Sequence, residues 1–464
     1  MNRKRRISAT FSIRALFLGV IVALLAVNSR AASAPNIVFI LADDLGASDL
    51  SCYGSDFYKS PNIDKLAGRG MKFTQAYAAC NVCSPTRASI MTGKYPARLK
   101  LTTYLPGRPD RPDQMLKQPK IFQHLALEEV TLAEMLKKAG YTCGAFGKWH
   151  LGGPGFYPEQ QGFDVYVAGT ANGGDPDSKD PGKGEYGITT AAEKFIRENK
   201  AKPFFAYVAY HSVHIPLNVR HELIEKYKAL PPGHVHTNAI YAGMIESMDN
   251  CVGHLMDTLK SLKLDKNTIV IFFSDNGGLS VHEGQHTPAT SNAPFRGGKG
   301  YLYEGGHREP LIVVWPRVIK PGSICDAPVC SIDFFPTFKD IAHVPGDVDP
   351  NVDGVNIVPL LEQTGAIQRD ALYWHYPHYS NQGGKPGGAI RVGDFKLIEN
   401  FEDGSLELYN LKDDVGEQHN LTEQMPQKAL ELEGKLDLWR RATGAQMPEP
   451  NQEWQNMTTG FLSR

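Results

Sequence analysis

Four runs of apolar, β-branched and aromatic residues, separated by stretches of helical character, predict an α/β fold with a doubly wound, mostly parallel sheet. The runs are Asn36 to Ala42 (NIVFILA), Phe204 to Tyr210 (FFAYVAY), Thr268 to Phe273 (TIVIFF) and Pro310 to Trp315 (PLIVVW). None alternates apolar with polar residues, so each is expected to be buried on both faces, as in a parallel sheet. Leu132 to Ala139, Thr189 to Asn199 and Ala239 to Leu262 supply helices between them, the pattern of a wound sheet. After about Pro345 the texture changes. Ala371 to Tyr376, Ala389 to Val392, Phe395 to Ile398 and Leu406 to Tyr409 are short strands, with Val392-Gly393-Asp394-Phe395 as a hairpin turn. A closing helix is expected from Pro426 to Arg441. The organisation predicted is a leader over 1–34, a main α/β domain over 35–345, and a subdomain over 346–464 with a small antiparallel sheet and a helix.

The leader carries a basic start (Arg3, Lys4, Arg5, Arg6), an apolar stretch from Ala15 to Val27, and small residues from Ala31 to Ala34. That is the plan of a cleaved secretory signal peptide, with an uncleaved anchor as the alternative. The chain is therefore expected in the periplasm or outside the cell, meeting the membrane only through this segment. With a net charge of −1 over 464 residues, no global field favours nucleic acid, so an anionic ligand needs a local basic pocket. The seven cysteines are too few for a disulfide scaffold, and their odd number leaves at least one unpaired. Gly169 to Gly187 and Ser380 to Gly388 are expected to be surface loops.

Two strands end in pairs of oxygen-bearing side chains: Asp43-Asp44 after the first run and Asp275-Asn276 after the third. Ligands of open parallel sheets bind beyond the carboxyl ends of strands. If the strands are neighbours, four hard oxygen donors converge, a set suited to calcium or magnesium rather than zinc. The alternative is N-capping of the next turn. Further along stands Cys83-Ser84-Pro85-Thr86-Arg87, continuing to Gly93-Lys94. Ser84 suits an N-cap, Pro85 the first helical position and Gly93 the helix end. Cys83 would then precede a helix N-terminus, where an anion is welcome. Arg87, one turn on, offers a planar fork to a tetrahedral oxyanion such as sulfate or phosphate. A redox or half-zinc CxxC formed by Cys80 and Cys83 is the competing interpretation.

CSPTRASIMTGK resembles the sulfatase signature, C-x-P-x-R followed by T-G-K/R. NIVFILADDLG, SPNIDKLAGRGMKFTQAYA, FGKWHLGG, HSVHIP, SDNGG, KGYLYEGGHREP and LYNLKDDVGEQHNL resemble further blocks of that family, in family order from Asn36 to about Asn420. The resemblance implies an alkaline-phosphatase-like fold and hydrolysis of sulfate esters. It implies that a maturation enzyme oxidises Cys83 to formylglycine, and that Asp43, Asp44, Asp275, Asn276 and residue 83 hold calcium, with magnesium the lesser choice. Arg87 then orients the formylglycine, His150 bonds to it, and Lys148, His214 and Lys299 meet the sulfate, with His211 a further substrate-side position. In the mechanism so implied, one hydroxyl of the hydrated aldehyde attacks sulfur. His214 or Lys299 protonates the leaving alcohol, and His150 takes the proton that lets sulfate depart.

The substrate expected from family likeness is a sulfated carbohydrate. His307, His375 and His378 are candidate sugar contacts. The basic segment Arg98 to Lys120 is a candidate pocket mouth, or else a solvated loop. A phosphonate or phosphate monoester hydrolase of the same superfamily, and a non-catalytic binder of sulfated glycans, are the alternative functions.

Overall fold

The computed structural model describes residues 34–170 and 182–456. The leader assigned to 1–34 lies outside the described residues except for Ala34, as does the 171–181 portion of the loop tract after Gly169. In chain order the strands are β1 (Asn36–Ala42), β2 (Met71–Tyr77), β3 (Leu116–Lys117), β4 (Thr142–Gly147), β5 (Val165–Ala168), β6 (Phe204–Ala209), β7 (Thr268–Ser274), β8 (Arg308–Val314), β9 (Ser323–Cys325), β10 (Val329–Cys330), β11 (Leu372–Tyr376), β12 (Gly387–Val392), β13 (Phe395–Asn400), β14 (Leu406–Asn410) and β15 (Glu449–Pro450). The principal helices are α1 (Pro61–Arg69), α2 (Cys83–Thr92), α3 (Leu132–Lys137), α4 (Glu185–Asn199), α5 (Ala239–Ser261), α6 (Phe334–Ile341) and α7 (Pro426–Thr443).

The main sheet runs β10-β2-β8-β7-β1-β6-β4-β5, with β9 also paired to β2. β1 is central and parallel to both β6 and β7. All seven of its residues are buried. Val38 and Ile40 join a core with α1, α4 and α5, while Phe39 meets Phe334 and Phe338 of α6 edge-on from the other side. That two-sided cover is why the run shows no alternation. The run Pro310 to Trp315 needs a correction of direction: β8 is antiparallel to β2 and to β7. A continuous apolar run reports burial on both faces, and burial does not fix orientation.

α5 is a 23-residue helix whose apolar face is buried, and Asn238 caps it by accepting from the amides of Ile240 and Tyr241 at 3.1 and 3.2 Å. Such a cap contributes about 1 kcal/mol. The second sheet, β11-β12-β13-β14, is antiparallel throughout. Its expected turn is present: Val392 pairs with Phe395 around Gly393, which has φ +59°. Ala429, Leu432 and Leu436 of α7 cover one face, against Ile390, Leu397 and Leu408. The other face packs Trp374, Tyr376 and Ala389 against Tyr77, Cys80 and Val82, just ahead of α2. Trp374 Nε1 also donates to the Ala78 carbonyl at 2.9 Å. The second sheet thus buttresses the segment carrying Cys83. All seven cysteines are unpaired. Among the described residues no helix is long and apolar enough to cross a membrane.

Candidate active site

Adjacency of β1 and β7 decides the site. Ala42 lies opposite Ser274, so the chain leaves both strands at one rim and brings the two acidic pairs together. The Asp275 amide donates to the Ala42 carbonyl at 3.2 Å, and the Asp44 amide to Asp275 Oδ1 at 3.3 Å. Asp44 holds φ +61°, an arrangement aspartate tolerates better than most residues. All four side chains are buried. Asn276 Nδ2 donates to Asp44 Oδ1 at 2.8 Å, while its Oδ1 has no hydrogen-bond partner.

α2 delivers Cys83 and Arg87 to the same place. Its N-cap is Val82, without a side-chain cap, and Cys83 is the first helical residue. This corrects the expectation that Ser84 caps the helix: Ser84 Oγ instead accepts from the Leu105 amide at 3.0 Å, pinning a pocket loop. The stop at Gly93, φ +70°, is as expected. One ligand atom from each of Asp43, Cys83 and Asp275 lies within 4.8 Å of the others. Arg87, wholly buried, gives Nε to Asp275 Oδ2 at 2.8 Å and Nη1 to the Lys148 carbonyl at 2.9 Å.

Lys148 follows β4, whose last residue, Gly147, has φ +100° and admits no Cβ, which would lie 2.0 Å from the Ala209 carbonyl oxygen. The Lys148 amide bonds that carbonyl at 2.8 Å. Its Nζ reaches both oxygens of Asp43, at 2.9 and 2.6 Å. Lys299 Nζ donates to Asp44 Oδ2 at 2.7 Å, and His214 Nε2 lies 3.6 Å from the same oxygen. His150 Nε2 meets the Leu105 carbonyl at 2.8 Å, leaving a buried Nδ1 without a partner. His211 lines the same cavity, also with an unpartnered Nδ1.

Protonation follows from burial set against these charges. Burial would raise the Asp43 carboxyl, but Lys148, His214 and Arg87 hold it well below the ordinary range. Asp275 goes the other way, to about 7: burial, with Asp43 beside it, outweighs Arg87. Burial pushes the Cys83 thiol up against the pull of Lys148 and Lys299. Asp43 keeps the Lys148 ammonium charged despite burial, as Asp44 does for Lys299. Burial lowers the histidines, His214 to about 4 with Lys299 adding to the effect, and His211 to about 3. His150 is held well below its usual value by burial and then by Lys148. At neutral pH the site holds cationic lysines, neutral imidazoles and a protonated thiol.

These residues open on a cavity of about 470 Å³. It is lined also by Tyr104, Trp149, Tyr166, Glu283, Asn381 and Gln382, of which sequence reasoning named none as a site residue. They sit on scattered loops, and no spacing announces them. Lys183 was read only as loop. It is buried, its ammonium lowered by burial to about 8 against the pull of Asp43.

Three expected sugar contacts do not line this cavity. His307 is fully buried, its ring stacked 4.3 Å from Trp374, with Nε2 on the Leu302 carbonyl at 2.8 Å. Its place under the second sheet makes it a packing residue. His375 bonds the Gln446 carbonyl and His378 bonds Thr102 Oγ1, each at 2.8 Å. Three of the six cations in the basic segment have partners outside the cavity: Arg98 pairs with Asp353, Arg111 with Asp113, and Arg108 with the Ser380 carbonyl. Its Tyr104 and Leu105 are what reach the cavity.

Comparison with known proteins gives the same direction. A family model described as Sulfatase matches residues 35–344, and one described as N-sulphoglucosamine sulphohydrolase, C-terminal, matches 297–442. A protein named Sulfatase from Formosa agariphila is 34% identical, over 87% of this chain and 88% of that one. N-acetylgalactosamine-6-sulfatase of Rattus norvegicus is 32% identical, over 84% and 76%. The solved structure of Ps i-CgsB in complex with k-i-k-neocarrahexaose superposes with a TM-score of 0.76 at 27% identity, covering 88% of this chain and 93% of that one.

Proposed function

The chain belongs to the sulfatase family and is a sulfuric ester hydrolase; from that premise we propose that it desulfates a sulfated carbohydrate, using formylglycine formed at Cys83 and calcium held by Asp43, Asp44, Asp275 and Asn276. The observation that carries this is the convergence of Cys83 with Asp43 and Asp275 within 4.8 Å, with Lys148 on Asp43 and Lys299 on Asp44. The donor set fits the ion. It consists of three buried carboxylates and the Asn276 Oδ1 that lacks a partner, and hard oxygen donors suit calcium better than zinc. The modification fits as well, because a buried, protonated thiol is a poor nucleophile. Formylglycine would supply the attacking oxygen, and calcium a fixed positive charge toward the sulfate.

The remaining work falls to the chain itself. Lys148 and Lys299 bring positive charge to the sulfate oxygens, where charge shifts as the S–O bond breaks. Arg87 fixes Asp275 and the Lys148 backbone, and so the floor of the site. His214 rests neutral with Nδ1 against the Ile215 carbonyl, and Nε2 is the nitrogen placed to pass a proton to the departing alcohol once an anion raises its basicity. His150 keeps Nδ1 as an unpartnered acceptor, suited to take a proton during sulfate release. The sugar assignment draws on the rat N-acetylgalactosamine-6-sulfatase and on the neocarrahexaose complex. The leader read in residues 1–34 supports export to the periplasm or beyond, and a maturation enzyme is the partner that would oxidise Cys83.

The test joins mass spectrometry of the peptide ending at Arg87 to paired assays on aryl sulfate, aryl phosphate and a panel of sulfated sugars. Aldehyde at position 83, turnover of sulfated sugars and loss of turnover in Cys83→Ser are expected. Equal rates for Cys83→Ser and wild type, or phosphate preferred to sulfate, would overturn the proposal.

A further inference from the structure

The cavity is chemically divided. Its lysines, Lys148 and Lys299, are buried at the floor against Asp43 and Asp44. Apart from those floor residues and the imidazoles of His150, His211 and His214, Glu283 is the one acidic or basic side chain among the described lining residues. It reaches in from the loop after β7 and is held in place. Gln382, buried, donates Nε2 to Glu283 Oε2, and the Gln382 carbonyl in turn accepts from Tyr301 Oη at 2.5 Å. The Glu283 amide bonds Thr287 Oγ1 at 2.8 Å. Beside it Asn381 Nδ2 donates to Tyr104 Oη at 3.0 Å, and Tyr104 offers a flat ring to the same opening. Arg108 of the nearby basic segment donates to the Ser380 carbonyl at 3.0 Å, and among the described residues no cationic side chain pairs with Glu283.

We propose that this mouth is a subsite for an uncharged sugar ring, with Glu283 both accepting its hydroxyls and repelling a second anionic group. The substrate class is then a monosulfated unit within an otherwise neutral glycan, rather than a uronate-bearing or multiply sulfated one. The proposal rests on the sulfatase reading given above. The floor supplies cationic charge for one sulfate. A carboxylate with an oxygen free of Gln382 is a good acceptor for sugar hydroxyls, whereas a sulfate or uronate brought beside it meets like charge that no cation among the described residues pairs with. Tyr104 supplies the apolar face that a sugar ring covers.

The experiment compares two disaccharides that carry the same scissile sulfate, one with a neutral neighbouring ring and one with a uronate or a second sulfate there. The wild-type enzyme should favour the neutral one in kcat/KM by about tenfold or more, the scale of a like-charge penalty at a half-exposed site. Glu283→Lys should cut that ratio at least about tenfold, with Glu283→Gln between the two. Equal efficiency of the wild-type enzyme on both disaccharides, or a ratio unmoved in Glu283→Lys, overturns the subsite. No hydrolysis of any sulfate ester, aryl sulfate included, by the matured wild-type enzyme would instead overturn the sulfatase reading.

Discussion

Replacing Arg87 by Met tests how the centre is held together. Met keeps much of the arginine stem's volume, so little cavity forms. The losses are the ion pair to Asp275 at 2.7 Å, the weaker approach to Asp43 at 3.6 Å, and a donor to the Lys148 carbonyl. Removing one partner of a buried pair costs about 3–5 kcal/mol, and the stranded carbonyl adds about 1 kcal/mol. Asp275 softens the loss by taking up a proton, because its carboxyl already sits at about 7. A net cost of about 4 kcal/mol near neutral pH follows. For the compact unit from Pro35 to Arg464, unfolding entropy scales to about 1 kcal/mol per degree. Tm should therefore fall by about 4 °C. Differential scanning calorimetry in chelator and in calcium is the assay. The drop should be smaller in calcium, which shares the Asp275 charge. A loss below about 1 °C in both conditions, or the same loss with and without calcium, refutes the reasoning.

Asp275→Asn should abolish aryl sulfate turnover, and calcium added after chelation should restore the wild type but not this variant; full activity in thorough chelator counts against the oxygen site. Lys396→Met should destabilise by about 3–5 kcal/mol, because Lys396, wholly buried, lies 3.0 Å from Glu304 and 2.9 Å from Glu417. A urea midpoint unchanged within error would show that the two carboxylates find other partners. Burial lowers His375 to about 4 and His378 to about 3, so the unfolded chain binds their protons first as pH falls. Their stabilisation is full above about 6.5, the unfolded value, and is lost between there and about 4 for His375 and about 3 for His378. His378→Phe should flatten the decline of Tm between pH 7 and 5, and an unchanged slope would remove His378 as a contributor.

The centre of the sheet was legible because β1, β6 and β7 are buried on both faces and leave an unbroken apolar trace. β4 was not. Its TCGAFG contains two glycines, one of which is there because the Ala209 carbonyl leaves no room for a Cβ, and glycine reads as loop when packing is unseen. β2 was missed as well, because its lysine, threonine and glutamine dilute the run. Within the site, Asp43, Cys83, Arg87 and Asp275 announced themselves through strand ends and a helix start, features of local sequence. Glu283 and Gln382 stand 99 positions apart and meet only through tertiary packing. His307 illustrates the opposite error, since a histidine beside glycines suggests a sugar contact yet stacks under Trp374.

The placement of Lys299 shows how the two sheets cooperate. The segment around it is threaded through space too tight for side chains: a Cβ on Gly306 would lie 2.0 Å from the Tyr301 carbonyl oxygen, and one on Gly277 1.9 Å from that of Gly305. The Lys299 amide is tied to Gly278 O at 3.1 Å, and the Gly300 amide to Asn81 O at 2.8 Å, so the strand end and the approach to Cys83 both position this lysine. At its far end the Glu304 amide donates to Glu417 at 2.6 Å, while Lys396 of β13 pairs with both Glu304 and Glu417. The second sheet therefore clamps the segment that sets Lys299 against Asp44. The clamp at Lys396 and the placement of Lys299 thus share one closely packed segment, in which the glycines at 277 and 306 leave no room for a side chain.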